Sequence, residues 1–261
     1  TMDLNTISGA VTLATPTLDA TIAQYTATST LLNDKEADIE QTATGITPIV
    51  GINISPAENL NIGIKYEFAT ELEFTNLVND NKDILLAFTA TGTPVYMFND
   101  GSTFRGDMPA MLSVGVDYGI SEKLGVSVGT HYYFDKTADY GRKIDGLYVT
   151  NEEVIDNNFI EVAAGVQYAL NEKLVVSTGF LMAKTGVTED YSTDLSYSLT
   201  SNTIGLGAGY QLNDMMMLNL GFGNTFYTEG SKTMKRILPD DITETYNKSN
   251  LFVAVGLDFS F

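Results

Sequence analysis

The sequence predicts an all-β fold, an antiparallel transmembrane β-barrel with about ten strands in this chain, and three observations lead there. The first is a recurring hairpin. Gly115-Val-Asp-Tyr-Gly-Ile-Ser-Glu-Lys-Leu-Gly-Val-Ser-Val-Gly129 resembles Gly165-Val-Gln-Tyr-Ala-Leu-Asn-Glu-Lys-Leu-Val-Val-Ser-Thr-Gly179, and both resemble the stretch from Gly207 to Gly221, with a looser copy from Gly51 to Gly63. Each is an alternating run, a tight polar turn and a second alternating run, which is the sequence form of a β-hairpin. The second observation is the kind of alternation. Ile160, Val162, Ala164, Val166 and Tyr168 share one face, and Glu161, Ala163, Gly165, Gln167 and Ala169 share the other. A soluble sandwich turns its apolar face inward and carries long charged side chains outside. Here the second face is Gly, Ser, Ala, Asn and Gln with few charges, which suits a lumen, while the apolar face suits lipid. The third observation is that short turns alternate with long polar connections, as on the two rims of a bacterial outer-membrane barrel.

The elements follow in order. Alternation marks nine strands at about Ile39–Ile54, Leu60–Asn76, Phe104–Ile120, Leu124–Asp135, Phe159–Leu170, Leu174–Ala183, Tyr191–Leu212, Met215–Thr228 and Thr243–Phe261. Asp3–Leu13 supplies a tenth, since single-chain bacterial barrels favour even numbers. The turns Ser55–Asn59, Ser121–Lys123, Asn171–Lys173 and Asn213–Asp214 are short. The connections Thr15–Ala37, Leu77–Thr103, Asp135–Asn157 and Thr228–Asp241 are long, and Lys184–Tyr191 is intermediate. Residues 1–261 read as one barrel domain. The copies of the hairpin are unevenly spaced, which argues against a propeller or solenoid of fixed period.

Composition narrows the function classes. Lys and Arg number 14 against 33 Asp and Glu, a net charge of −19, so the chain has no positive face for nucleic acid. Only 18% of residues are charged and 44% are apolar, unlike an acidic disordered tail. Cysteine is absent, which excludes disulfides, thiol catalysis and thiolate metal sites. No apolar run is long enough for a helix to cross a bilayer. Thr1–Ala14 lacks the basic and apolar regions of a secretion signal, so an exported protein would be a processed or truncated chain.

The last strand, Leu251-Phe-Val-Ala-Val-Gly-Leu-Asp-Phe-Ser-Phe261, sets Leu251, Val253, Val255, Leu257, Phe259 and Phe261 on one face. It looks like the terminal aromatic strand that the barrel-assembly machinery reads, with Phe261 as its end. From Thr47-Pro-Ile-Val-Gly-Ile-Asn-Ile-Ser-Pro-Ala-Glu-Asn-Leu-Asn-Ile-Gly63 onward through Asn76, the chain resembles the FadL-type family of outer-membrane transporters for long-chain fatty acids and aromatic hydrocarbons. The later Gly-x-x-Tyr hairpins and Phe261 are in keeping with that family's C-terminal region, so the resemblance spans roughly Asp38 to Phe261. It implies a fourteen-stranded barrel with an N-terminal plug, of which this chain is the C-terminal part. The plug and first strands, which carry the family's proposed lateral exit, have no counterpart here, and no residue inherits that role.

Candidate site residues fall into two groups. Leu31 and Leu32, at the end of a segment from Leu18, and the cluster Ile84, Leu85, Leu86, Phe88 with Tyr96 and Phe98 are apolar side chains inside long loops. They suit capture of a hydrophobic ligand, or packing of loops on each other. The resemblance implies the former, because the family places apolar loop helices at its outer capture site. Lys65, Glu67, Asp117 and the single histidine, His131, fall on the inward face. They either line a passage or neutralise one another across the lumen, and His131 is either a proton acceptor or a plain hydrogen-bonding residue. One histidine and no nucleophile motif argue against an enzyme. The acidic loop segment Asn79-Asp-Asn-Lys-Asp83 lacks the Gly and distal Glu of a calcium loop, and no metal or cofactor is expected.

Together these readings predict an outer-membrane channel for passive uptake of small hydrophobic molecules, with membrane lipid and lipopolysaccharide as its surroundings. The alternatives are a barrel that anchors a surface protein complex through its long loops, and a general porin for polar solutes.

Overall fold

The computed structural model describes residues 34–144, 146–193, 196–234 and 242–260, together with Ile22, Tyr25 and Ser29. The expected strand Asp3–Leu13, the capture residues Leu31 and Leu32, and Phe261 lie outside the described residues. The chain divides into two compact units, Thr1–Ala43 with Glu73–Phe104, and Thr44–Leu72 with Arg105–Phe261.

The second unit is built on one nine-stranded antiparallel sheet. Its strands are β1 (Ile49–Ala57), β2 (Leu60–Glu67), β3 (Met111–Gly119), β4 (Leu124–Tyr133), β5 (Ile160–Ala169), β6 (Leu174–Lys184), β7 (Ser201–Asn213), β8 (Met216–Tyr227) and β9 (Ser249–Phe259). Each pairs with its neighbour in sequence, so the sheet is a simple meander from β1 to β9. Among the described residues the outer edges of β1 and β9 are unpaired and the sheet is open.

The alternation read from the sequence is the alternation of this sheet. Register pairs Val116↔Val128, Val128↔Ala164, Ala164↔Phe180 and Phe180↔Ile204 run an unbroken apolar row across β3 to β7. A second row, Val126↔Val166, Val166↔Thr178, Thr178↔Leu206, Leu206↔Phe222 and Phe222↔Val253, runs from β4 to β9 and is apolar except at Thr178. Most of these side chains are exposed, Val128 at 54% and Val253 at 71%, while Val116 and Val126 are half-buried. A sheet that shows water this much Val, Leu and Phe would aggregate; in a bilayer the same face costs nothing, because hydrocarbon is its solvent. Among the described residues no large side chain is fully buried, and the most buried apolar ones, Val154 and Ile155 at 2% exposure, lie in a loop.

The turns explain the recurring motif. In the β3–β4 turn Ser121 Oγ accepts from the backbone N–H of Leu124 at 3.2 Å. In the β5–β6 turn Asn171 Oδ1 accepts from Lys173 and Leu174 at 2.9 and 3.0 Å, and in the β7–β8 turn Asn213 Oδ1 accepts from Met215 at 2.9 Å. A short polar side chain at the first turn position ties off the chain reversal, which is why Ser or Asn recurs there.

At the opposite end the strands stop sooner than the alternation predicts. The expected strand Ile39–Ile54 is two, Ile39–Thr42 and β1; Leu60–Asn76 is β2 and Glu73–Val78; Phe104–Ile120 is Thr103–Arg105 and β3; Thr243–Phe261 is Ile242–Tyr246 and β9. The Gly106-Asp-Met-Pro109 break has a plain cause, since Pro109 has no N–H to give a ladder. The β6–β7 connection runs from 185 to 200, because β7 begins at Ser201 and not at Tyr191, and it is therefore long.

The long connections of this unit pack on one another. Ile155 bridges Val187, and Thr188 N–H donates to Val154 O at 2.9 Å. A Cβ at Gly186 would fall 1.9 Å from Asn157 O, so only glycine permits this approach. Asp135 accepts from Tyr140 OH at 2.8 Å and from Phe159 N–H at 3.0 Å, and Arg142 lies over the Tyr191 ring at 3.6 Å. Lys232 Nζ donates to Ser192 O at 2.9 Å, tying in the β8–β9 connection.

The first unit holds a three-stranded sheet, in the order Ile39–Thr42, Glu73–Val78, Thr103–Arg105, and a hairpin of Leu85–Phe88 with Pro94–Tyr96. Asn76, nearly buried, is fully engaged: its Nδ2 donates to Phe98 O and Ser102 Oγ, and its Oδ1 accepts from Gln41. Asp83 Oδ2 accepts from Asn99 N–H at 2.8 Å and Oδ1 from Ile84 N–H at 2.7 Å, closing the base of the hairpin.

The two faces of the sheet give opposite mutational responses. Val128→Arg, which places a cation against hydrocarbon, is expected to lower the free energy of folding into lipid vesicles by about 2–4 kcal/mol. Ser127→Lys, one residue away but beside Asp117 on the other face, is expected to change it by only about 0.5 kcal/mol. Denaturant titration of both variants in vesicles measures the difference.

Candidate functional site

The face opposite the apolar one is concave and sparsely filled. A glycine row crosses β2 to β4 as Gly63↔Gly115 and Gly115↔Gly129, and another crosses β5 to β8 as Gly165↔Gly179, Gly179↔Gly205 and Gly205↔Gly223. At Gly115 an added Cβ would meet nothing within 4 Å, and at Gly63 only Asn53 Oδ1 at 3.8 Å. These glycines are not demanded by close packing within the sheet; they leave space. Gly223 differs, because the Phe252 ring lies across it in the register pair Gly223↔Phe252.

The space left is a concavity of about 820 Å³ walled by Gly63, Gly115, Gly129, Ala163 and Leu181. Three of the four inward residues singled out from the sequence, Lys65, Asp117 and His131, line it. The fourth, Glu67, pairs with Lys65 at 2.5 Å. Asp117 accepts a hydrogen bond from Ser127 Oγ at 2.5 Å, and His131 Nδ1 lies 3.1 Å from Glu161 Oε2. Tyr133 OH donates to the same carboxylate oxygen at 3.3 Å. Between Lys65 and His131 in register stands Ser113, whose buried Oγ has no hydrogen-bond partner.

Glu161, Tyr133 and Ser113 were not singled out from the sequence. Alternation already set Glu161 inward, and a carboxylate in a run of Ala, Gly and Gln is itself a signal. What it lacked was a partner. The partner comes from the register Glu161↔His131, which joins residues 30 apart and has no local trace in the chain.

A second concavity of about 400 Å³ lies toward the long connections, walled by Phe159, Tyr197, Leu199 and Tyr227 with Lys248. It shares Glu161 and Leu181 with the first. Lys248 Nζ is held over the Tyr227 ring at 4.8 Å, and Tyr197 stacks on Tyr246 at 4.6 Å. Among the described residues no group of three or more His, Asp and Glu side chains is placed to hold a metal ion.

In the first unit the structure gathers Ile84, Leu85, Leu86, Phe88, Tyr96 and Phe98 on and around one hairpin, with Leu85 opposite Tyr96. Leu86, Phe88 and Tyr96 are exposed, as are Val95 and Met97, whereas Ile84, Leu85 and Phe98 are half-buried. The apolar cluster is thus presented to its surroundings by a strand pair and not by a helix.

In the loops of the second unit, burial pushes the Tyr140 phenol far above its usual range, and its hydrogen bond to Asp135 adds to this. Burial also raises Tyr191, against the opposing influence of Arg142. A phenol held neutral in the folded loops contributes stability that is intact below the ordinary tyrosine pKa of about 10 and is lost as pH rises past it. Alkaline titration followed by tyrosinate absorbance should show a late-ionising component that Tyr140→Phe removes. The Lys65–Glu67 pair is more modest: Lys65 is 47% exposed, so a double-mutant cycle with Lys65→Met and Glu67→Leu should give a coupling of no more than about 1 kcal/mol that falls with added salt.

All 261 residues match the family described as outer membrane protein transport protein (OMPP1/FadL/TodX). No curated protein matches the chain. Among solved structures the fold resembles the CymD monoaromatic hydrocarbon channel, with 15% identity over 90% of this chain and 59% of that one and a TM-score of 0.50. It also resembles a Pseudomonas aeruginosa FadL homologue, with 15% identity over 80% of this chain and 50% of that one and a TM-score of 0.57. The chain therefore spans between half and three-fifths of the length of these structures, and the likeness concerns the fold. The family and these neighbours are transport proteins and channels, not enzymes.

Proposed function

The chain belongs to the outer membrane protein transport family (OMPP1/FadL/TodX), which places it in the bacterial outer membrane, and from that premise we propose that it takes part in passive uptake of small hydrophobic molecules such as hydrocarbons or fatty acids. The observation that carries the proposal is the glycine-walled concavity of about 820 Å³ on the face turned away from lipid. An inward face that served only to anchor a surface complex has no need of space. A face built for polar solutes would carry rings of charge at a constriction. This one pairs Lys65 with Glu67 and leaves glycine and alanine between its few ionised groups.

Uptake has two parts. Apolar solutes leave water for the exposed Leu86, Phe88, Val95 and Tyr96 of the hairpin. A guest that hides about 100 Å² of apolar surface there gains about 2.5 kcal/mol, enough to concentrate it and little enough to release it. Passage along the concave wall then needs no nucleotide, metal or redox cofactor, since the solute moves down its own gradient. Hydrocarbons and fatty acids are both members of the proposed substrate class. Assembly would use the exposed amphipathic strand β9, whose Leu251, Val253 and Val255 present a continuous apolar edge to the barrel-assembly machinery.

Filling the space tests the proposal. Gly115→Leu adds a side chain where a Cβ meets nothing, so the variant should fold with wild-type stability. Entry of radiolabelled toluene into vesicles with a lipopolysaccharide outer leaflet should fall about tenfold relative to the wild-type full-length protein, on the scale of 1.4 kcal/mol of lost guest contact. Unchanged entry in Gly115→Leu would point away from passage through this concavity.

A further inference from the structure

Apart from tyrosines and turn residues, the outward face of the nine strands carries polar side chains in two places. Within the apolar band stand Thr130 and Thr178, and both are satisfied from inside the sheet. Thr130 Oγ1 donates to Glu161 O at 2.8 Å and Thr178 Oγ1 to Gly205 O at 3.0 Å. Hydrocarbon offers a hydroxyl no other partner. The second place is the long-connection end of β6 to β9. There Lys184, Asn202, Asn224 and Ser249 continue the outward face, as their register partners Ile160, Met182, Ile204 and Phe226 show. Lys184, Asn202 and Ser249 are exposed and Asn224 is half-buried. Among the described residues none of these side chains has a hydrogen-bond or ion-pair partner. From this contrast we infer that the long-connection end of β6 to β9 binds the phosphate-bearing head of lipid A, the lipopolysaccharide anchor, with Lys184 as its cation.

The outward face is already a lipid surface, and this patch is its continuation at one rim. The long connections mark the outer side of the barrel, where the leaflet is lipopolysaccharide. The composition of the patch fits the level at which acyl chains give way to headgroups. Phe226, 53% exposed, stands in register between Asn202 and Ser249, and Ile160 and Tyr132 follow Lys184 along its row. Rings interleaved with amides and a lysine belong to a membrane interface, where one side of each group is apolar and the other wet. Charge names the partner. The chain has 33 acidic residues against 14 basic ones, yet Lys184 is left without a carboxylate. An ammonium at the hydrocarbon boundary is weakly screened, so it gains most from an anion that the lipid itself brings. The amides of Asn202 and Asn224 and the Ser249 hydroxyl supply donors and acceptors for the sugar hydroxyls and acyl carbonyls that accompany the phosphate. The inference rests on the outer-membrane placement and not on any transported solute.

Two forms of one lipid isolate the effect. The full-length protein in a nonionic detergent is titrated with lipid A and with the same lipid stripped of its phosphates, and bound lipid is counted by native mass spectrometry. The phosphorylated form should bind at least about tenfold more tightly. Lys184→Gln should lose about tenfold in affinity for phosphorylated lipid A, while Lys184→Arg stays within about twofold of the wild type. Lys123→Gln, which removes a lysine from the short-turn rim, should also stay within about twofold. Phosphatidylglycerol, whose phosphate sits on glycerol and not on a sugar, should bind at least about fivefold more weakly than lipid A. Equal binding of the two lipid A forms by the wild type, which needs no variant, would overturn the site, as would equal losses in Lys184→Gln and Lys123→Gln. Phosphatidylglycerol binding as tightly as lipid A would overturn the assignment to lipopolysaccharide.

Discussion

In hydrocarbon a peptide N–H or C=O finds no water, so each must be satisfied by another strand. That constraint accounts for the nine-stranded meander, in which every strand from β2 to β8 is hydrogen-bonded on both sides. It also releases the side chains from the usual task of a fold. A soluble domain is stabilised by what it buries; here the apolar side chains of β3 to β9 are exposed or half-buried, and among the described residues the buried apolar ones, Val154 and Ile155 foremost, lie outside the nine-stranded sheet. With the backbone ladder and lipid holding the sheet together, the opposite face is free to be nearly empty.

That emptiness is organised. Gly63, Gly115 and Gly129 stand side by side over open space, while Gly223, toward the other edge, is covered by Phe252. The open stretch of glycines therefore ends before Gly223. Around it the few ionised groups are answered locally, Lys65 by Glu67 and Asp117 by Ser127, which lowers the cost of charge on a weakly solvated face. Glu161, answered by His131 and Tyr133, lines both hollows.

The loops show a different economy. Asp135 gathers Tyr140, Phe159 and Asn151 through both carboxylate oxygens and its own carbonyl, and Arg142 stacks on Tyr191. These contacts give the rim of the second unit a small core of its own, with Gly186 permitting a backbone approach that no side chain would allow. In the first unit Asn76 and Asp83 play the corresponding part, holding a hairpin whose Leu86 and Phe88 point outward. In that hairpin polar side chains build the scaffold and Leu86 and Phe88 are left for display.

What the sequence by itself determined was everything with a short period. Two-residue alternation named the lipid face and the inner face of each strand, the repeated Ser or Asn located the turns, and the family resemblance carried by Thr47 to Asn76 agrees with the match of all 261 residues. Its errors were at strand ends, where alternation continued past the point at which Pro109 or the loop contacts stopped the ladder. The tertiary structure alone decided which inner residues meet. Register brings Glu161 against His131 and lines up glycines from different strands, and both depend on distances between strands that no local pattern encodes. A side chain's face is set by its own backbone, so it can be read one residue at a time; a hollow is set by what several strands omit at the same height, and that becomes visible only when the strands are paired.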